Sequence, residues 1–191
     1  MRWILIGGGG HAKAVADILA LRGQTIAGYL ALEETPGSPW TYLGGDKDTE
    51  IPAGSFVALG LGGVTPEGLT RRLDLLDYHQ QQGHTAPPIV SPHAIIAGSA
   101  DIGTGSTIMM GVSIQAAAKI GMGAIINTGA IIEHDCIIGD GAHIAPGAIV
   151  LGGCRIGRCA MIGAGAIILP GAGVPDQGLV TAGNRLAADP A

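Results

Sequence analysis

From Val90 to Val180 every sixth residue is valine or isoleucine, running through Ile96, Ile102, Ile108, Ile114, Ile120, Ile126, Ile132, Ile138, Ile144, Val150, Ile156, Ile162, Ile168 and Val174. A helix repeats its apolar face about every 3.6 residues and a half-buried strand every 2, so a period of six held this long specifies short strands joined by corners, a parallel β-helix. Four residues after each aliphatic comes a small side chain with few exceptions, among them Ala94, Ala118, Ala130, Cys136, Ala148 and Ala166, often with glycine before it. Three such hexapeptides make a triangular coil of eighteen residues, and coils stack at about the 4.8 Å inter-strand spacing. Composition agrees: 34 glycines beside one Phe, two Trp and three Tyr call for a core of small and β-branched side chains.

Residues 1–86 follow another rule. Trp3 to Ile6, Gly7 to Gly10, Ala12 to Leu21 and Thr25 to Leu30 read as strand, turn, helix, strand, a Rossmann-like βαβ opening. Phe56 to Leu59 is a further strand and Pro66 to Gln82 a further helix, with Thr35 to Gly54 ahead of both as loop. The expected organisation is a small α/β domain over 1–86 and a β-helix with a short tail over 87–191.

Side chains alternate across a strand, so the small residue and the aliphatic two places on point inward and the residue between them points out. Sorted by coil, the outward residues form three columns. The first, Ile95, Ser113, Ile131, Ile149 and Ile167, is nearly all apolar. The second, Asp101, Lys119, Ile137, Arg155 and Gly173, carries charge and faces water. The third, Thr107, Ile125, His143, Met161 and Leu179, is again mostly apolar. Two faces that want cover suit a three-fold ring in which the first column of one chain meets the third of its neighbour, so a homotrimer is expected.

The net charge of −5, with ten scattered Lys and Arg, offers no basic stripe for nucleic acid or anionic lipid. The apolar stretches are laced with glycine, unlike a membrane-spanning helix, and Met1 to Ile6 is too short for a signal peptide. The expected partners exclude nucleic acid and membrane, and the expected compartment is the cytoplasm. Cys136, Cys154 and Cys159 form no zinc-type pair and read as free thiols.

His134 and Asp135 fall at the corner after the first face, with Glu133 the last outward residue of that strand. Ala116 and Ala117 lie one coil before and Gly152 and Gly153 one coil after, so no bulky corner residue stacks on the imidazole. His143 lies on the third face beside Asn127, and in a trimer the two would face a neighbour's His134. Such a cleft suits attack of an amine or hydroxyl on a thioester, with His134 as general base and Asp135 fixing its tautomer. His143 or a backbone N–H would steady the oxyanion. In the first half, Gly7-Gly8-Gly9-Gly10-His11-Ala12 has the G-x-G-x-x-A form that cradles a diphosphate at a helix N-terminus. Leu30-Ala31-Leu32 stands where NAD-binding folds carry an acidic residue, and Glu33 comes late, which favours a nucleotide sugar over NAD.

Gly9-Gly10-His11-Ala12-Lys13-Ala14-Val15-Ala16-Asp17, Ala58-Leu59-Gly60, and Ile126-Asn127-Thr128-Gly129-Ala130 running into Glu133-His134-Asp135-Cys136 together resemble the hexapeptide acyltransferases of the sialic acid O-acetyltransferase type. That group includes N-acetyltransferases of UDP-4-amino-sugars and of GDP-perosamine. The resemblance implies a left-handed coil and acetyl-CoA-dependent transfer to a nucleotide-activated sugar or sialic acid, as in polysaccharide biosynthesis, with no metal. It implies His134 as general base, Asp135 as its acidic neighbour, and His143 as a contact of acetyl-CoA, whose channel Gly152 and Ala164 line. It further implies that Gly9, Gly10, His11 and Gly60 hold the nucleotide sugar. The chain departs from the group at Ala31-Leu32, where acidic residues grip the nucleoside. It departs again at Val180 to Leu186, where a shortened last coil is expected.

Two other readings share the repeat. A zinc enzyme of the γ-carbonic-anhydrase kind needs three converging histidines, for which only His134 and His143 stand ready. A non-catalytic trimeric sugar-binding scaffold would bind no coenzyme.

Overall fold

The computed structural model describes residues 2–52 and 55–188. Its first part is a four-stranded parallel sheet in the order β3-β2-β1-β4, made of β1 (Arg2–Ile6), β2 (Thr25–Leu30), β3 (Tyr42–Gly44) and β4 (Phe56–Leu59). Helix α1 (Gly10–Leu21) crosses from β1 to β2, and α2 (Pro66–Gln81) follows β4. Strand β1 is central, and Ile4, Leu5 and Ile6 are buried, as a strand between two parallel neighbours must be. Helix α2 starts where Thr65 caps it, its hydroxyl accepting from the Gly68 N–H at 3.2 Å, with Pro66 in the first turn. The stretch Thr35 to Gly54, expected as loop, contains β3. This edge strand of three residues is recruited by the Tyr29 N–H donating to the Thr41 carbonyl and by packing of the Tyr29 and Tyr42 rings. It is too short to show a period.

The second part is a left-handed parallel β-helix whose two-residue strands run from β5 (Ile89–Val90) to β21 (Arg185–Leu186). They stack into three sheets of six, five and six strands, each strand pairing with the one eighteen residues away. The three sheets are the three columns of the sequence. Inside, Ala118, Ile120, Ala130, Ile132, Cys136, Ile138, Ala148 and Val150 are sealed from water. The end of the rod differs from the expected shortened coil. Arg185–Leu186 pairs with Ile167–Ile168, and the Asn184 amide donates to the Thr181 hydroxyl at 2.6 Å to close the corner before it. Leucine thus fills the inward place that the repeat gives to Val or Ile. Among the described residues no helix is long and apolar enough to cross a membrane.

One expectation about the prism is overturned. Most of the third face is covered by the chain's own first part, not left for a neighbour's first face: Thr107 is 1%, Ile125 0%, His143 6% and Met161 8% exposed, and only Leu179 at its far end stays open. Helix α2 lies along the corner that leads into this face. A Cβ placed on Gly123 or Gly141 would come within 2.7 Å of Leu73, and one on Gly105 within 2.7 Å of Leu76. Those corner residues have positive φ, so glycine there serves both the turn and the close approach. Cys159 and Met161 join Leu59, Leu69, Leu73 and Leu76 in one apolar cluster across the junction. The apolar face still open is the first, where Ile95 is exposed and Ile131, Ile149 and Ile167 are half-buried.

Leu73 is 1% exposed at the centre of this junction. Leu73→Ala is expected to cost about 3 kcal/mol, the transfer and cavity loss of a buried leucine. Urea unfolding followed by circular dichroism reads this; a loss below about 1 kcal/mol would mean that the junction collapses around the gap.

Candidate functional site

A cavity of about 400 Å³ opens between the ends of β1, β2 and β4, lined by Gly8, Gly9, His11, Glu33, Gly60 and Arg71 among others. The carboxyl ends of parallel strands are where such sheets bind ligands. Gly9 is the N-cap of α1 and supplies no side-chain cap, so the first-turn amides have no side chain of the helix start to satisfy them. A Cβ on Gly60 would lie 2.5 Å from the Gly7 carbonyl and 2.9 Å from the Ala12 Cβ, so the two glycine loops form the cavity wall by backbone contact. The predicted Gly9, Gly10, His11 and Gly60 therefore come together here. Glu33 lines the same cavity, although its place in the sequence is late for a nucleoside-gripping acid.

Beneath this cavity, on the third face, His143 is held between two groups. Its Nδ1–H donates to the Gly63 carbonyl at 2.7 Å, and Asn127 Nδ2 lies 3.1 Å from its Nε2. The polarity follows from the ends of the chain of bonds. Gly63 offers only an acceptor, so Nδ1 bears the proton. The Thr128 N–H offers only a donor, which Asn127 Oδ1 accepts at 2.8 Å, so the Asn127 amino group is the end that faces Nε2. Burial first, opposed by the Gly63 bond and aided by the nearby Arg72 charge, lowers the His143 pKa and keeps the ring neutral. A neutral His143 has no N–H left for an oxyanion, contrary to the role considered for it. The second amide hydrogen of Asn127 is the donor at hand.

His134 and Asp135 stand at the exposed corner between the first and second faces, with His134 Nδ1 2.8 Å from Asp135 Oδ2. A carboxylate can only accept, so Nδ1 carries hydrogen and Nε2 presents its lone pair. Asp135 has φ +60 at a corner position that most hexapeptides give to glycine, a conformation costing a non-glycine residue about 1 kcal/mol or more. The space predicted one coil on, at Gly152, is taken by the imidazole itself, since a Cβ there would lie 2.7 Å from His134 Nε2. Glu133 is half-buried on the first face, next to His134.

Around each coil the order is third face, first face, second face. His134 therefore sits on the edge opposite the face that holds His143 and Asn127, and one chain does not bring them together. Gly152 lies on the His134 edge, whereas Ala164 is exposed on the edge between the third and first faces. Among the described residues no group of three or more His, Cys, Asp and Glu is placed to hold a metal ion.

Sequence reasoning missed three contributors: the Gly63 carbonyl, the Arg71–Asp46 ion pair at the cavity wall (2.9 Å) and Arg72. The first two leave no local trace. Arg72 does, because it occupies the apolar stripe Leu69, Leu73, Leu76 of α2, where an arginine is out of place.

A prism of stacked hexapeptides joined to a glycine-loop α/β domain, with an imidazole–carboxylate pair on an open edge, defines a β-helix transferase. Residues 117–152 and 135–170 match the bacterial transferase hexapeptide family (six repeats). No curated protein matches the sequence. The chain is similar to PerB of Caulobacter crescentus, solved with CoA and GDP-perosamine, at 30% identity over 99% of this chain and 90% of that one, TM-score 0.83. It is similar to the acetyltransferase domain of PglB from Neisseria gonorrhoeae at 29% identity over 98% and 92%, TM-score 0.89. That domain has also been solved with acetyl coenzyme A, a form 28% identical over 97% of this chain and 92% of that one, TM-score 0.87. The chain belongs to the hexapeptide-repeat sugar acetyltransferases.

Gly152→Ala is expected to push the His134 ring off its seat and to lower acetyl transfer by at least ~10-fold, since displacing a reacting group by about 1 Å costs up to ~10²-fold. Steady-state kinetics beside an unchanged circular dichroism spectrum reads this. Turnover equal to that of the unaltered protein would show that the seated position of the imidazole has no part in transfer.

Proposed function

We propose that this protein transfers the acetyl group of acetyl-CoA to an amine, or a hydroxyl, of a sugar activated by a nucleoside diphosphate. The observation that carries the reading is the His134–Asp135 pair seated on Gly152 in a chain similar over nearly its full length to PerB and to the PglB acetyltransferase domain. PerB has been solved with CoA and GDP-perosamine, and the PglB domain with acetyl coenzyme A.

In this reading the diphosphate rests on the amides of Gly9, Gly10 and His11, and Gly60 lets the loops close on it. The sugar then points down toward Asn127 and His143. The unpartnered Nε2 of His11 is buried at this cavity and gains a hydrogen-bond partner from the ligand. Because His134 lies on the opposite edge of its own prism, the base that meets this sugar comes from another copy. The open first face is the surface through which the copies join as a homotrimer. His134 Nε2 removes the proton as the acceptor attacks the thioester carbonyl, Asp135 stabilises the imidazolium, and Glu133 borders the acceptor. The thioester oxygen takes the second amide hydrogen of Asn127, held in place by His143. As the tetrahedral intermediate collapses and the C–S bond breaks, the His134 imidazolium returns its proton to the sulfur, and coenzyme A leaves as the thiol along a channel between Gly152 of one chain and Ala164 of the next.

Acetyl-CoA consumption is measured over UDP-, GDP- and dTDP-amino-sugars and sialic acid, with His134→Ala in parallel. One acceptor is expected to be turned over, with a fall of at least ~10²-fold in the variant, as for loss of a general base. Near-normal turnover by the variant would remove His134 from the mechanism, and no consumption with any acceptor would sink the reading.

A further inference from the structure

Arg72 is fully buried, yet among the described residues no carboxylate meets its guanidinium. Its Nε donates to the Gly123 carbonyl at 3.0 Å, its Nη1 to the carbonyls of Leu59 (3.0 Å) and Leu61, and its Nη2 to the Thr107 hydroxyl at 3.3 Å. Carbonyl dipoles satisfy the N–H groups but do not cancel the charge. A buried, unpaired cation is among the most costly groups a protein can hold, and truncating such networks is strongly destabilising. Its neighbour on the helix differs in this respect: Arg71 lies at the cavity wall, paired with Asp46 and close to neutral overall.

The carbonyls that Arg72 binds bracket Gly60, the residue whose backbone presses against Gly7 in the wall of the cavity. The positive charge thus lies directly behind the wall where the glycine loop and the bare start of α1 converge. The other charged groups at this cavity do not neutralise it. Glu33 is exposed at the mouth, and Asp46 is engaged by Arg71. His11 and His143, which face Arg72 from α1 and from the third face, both feel its charge as a lowering of their pKa. That of His11 falls to about 3, chiefly through burial. Burial draws the Arg72 pKa down to about 9, which leaves it charged at neutral pH.

We infer that Arg72 is the fixed counter-charge of the cavity: its missing anion is the diphosphate of the ligand, and through it the site selects nucleoside diphosphates over uncharged nucleosides. The inference rests on the nucleotide-sugar reading above and adds the group that makes the charge of the ligand count. In a cavity walled by protein, a charge behind one layer of backbone is little screened by salt and acts more strongly than an exposed lysine would.

Binding of UDP, GDP and dTDP, each beside its nucleoside, is measured by calorimetry and ligand-observed NMR on the full chain, on Arg72→Gln and on Arg72→Lys. Arg72→Gln is expected to weaken the diphosphate that binds by at least about tenfold and its nucleoside by less than about twofold. Arg72→Lys replaces the guanidinium by an amine that loses its charge at lower pH, because the same burial acts on a group whose ordinary pKa already lies below that of arginine. Its diphosphate affinity is expected to approach that of the unaltered protein at pH 6.5 and to fall several-fold more than that protein's by pH 8.5. If Arg72→Gln does not fold, this pH series decides alone. Equal losses for diphosphate and nucleoside, or a pH dependence in Arg72→Lys no different from that of the unaltered protein, would reduce Arg72 to a structural clamp and overturn the inference. Failure of the unaltered protein to bind any of the three diphosphates would remove the nucleotide-sugar reading as well; binding with unaffected variants removes the inference alone.

Discussion

Every hexapeptide of the prism must turn a corner, and at most corners one residue lies in the left-handed region, usually glycine and at four places Ala117, Asp135, Cys159 or Gln177. With the corners fixed, each residue's direction from the axis follows from its position within eighteen, and the ladder of parallel strands holds it there. This constraint separates the chemistry. It puts His134 on one edge and His143 with Asn127 on the opposite face, rigidly, so the groups suited to a single reaction can meet only through another copy of the chain. Asp135 accepts a strained backbone at the corner where it also holds the His134 tautomer.

The first part of the chain covers most of the third face, which the prism alone would leave bare. Leucines of α2 fill the space left by corner glycines, and the Gly63 carbonyl reaches His143 from above. The same helix carries Arg72 into the junction, where it binds carbonyls of both parts. Cavity and prism are therefore coupled by packing and by charge. The cavity wall, the neutral state of His143 and the aim of the Asn127 amide depend on one buried surface.

How far the sequence could be read follows from the range of each interaction. The period of six repeats a local rule, and the three columns, the inward thiols of Cys136 and Cys154 and the corner position of His134 all follow from counting. The glycine loop and α1 were legible because turn chemistry and helix period are local too. Strand β3 was not, since three residues carry no period and pair only because Tyr29 and Tyr42 meet. The partner of the third face was misassigned for a related reason. Apolar columns show that a surface wants cover, but the pattern does not say whether the cover is a second chain or α2 of the same one. Arg72 was visible as an arginine in an apolar stripe, while its four acceptors come from distant segments.

The claim that the reacting groups belong to different chains is tested most directly by subunit mixing. His134→Ala and His143→Ala proteins, each first assayed alone, are unfolded, combined in equal amounts and refolded, and acetyl transfer is assayed. If one chain's His134 works with its neighbour's His143, each mixed ring contains one intact site, and because about three rings in four are mixed, activity returns to about a quarter of that of the unaltered protein, by the counting rule for a closed three-fold ring. Mixed rings that form, as shown by mass, yet remain inactive would mean that the site is built within a single chain.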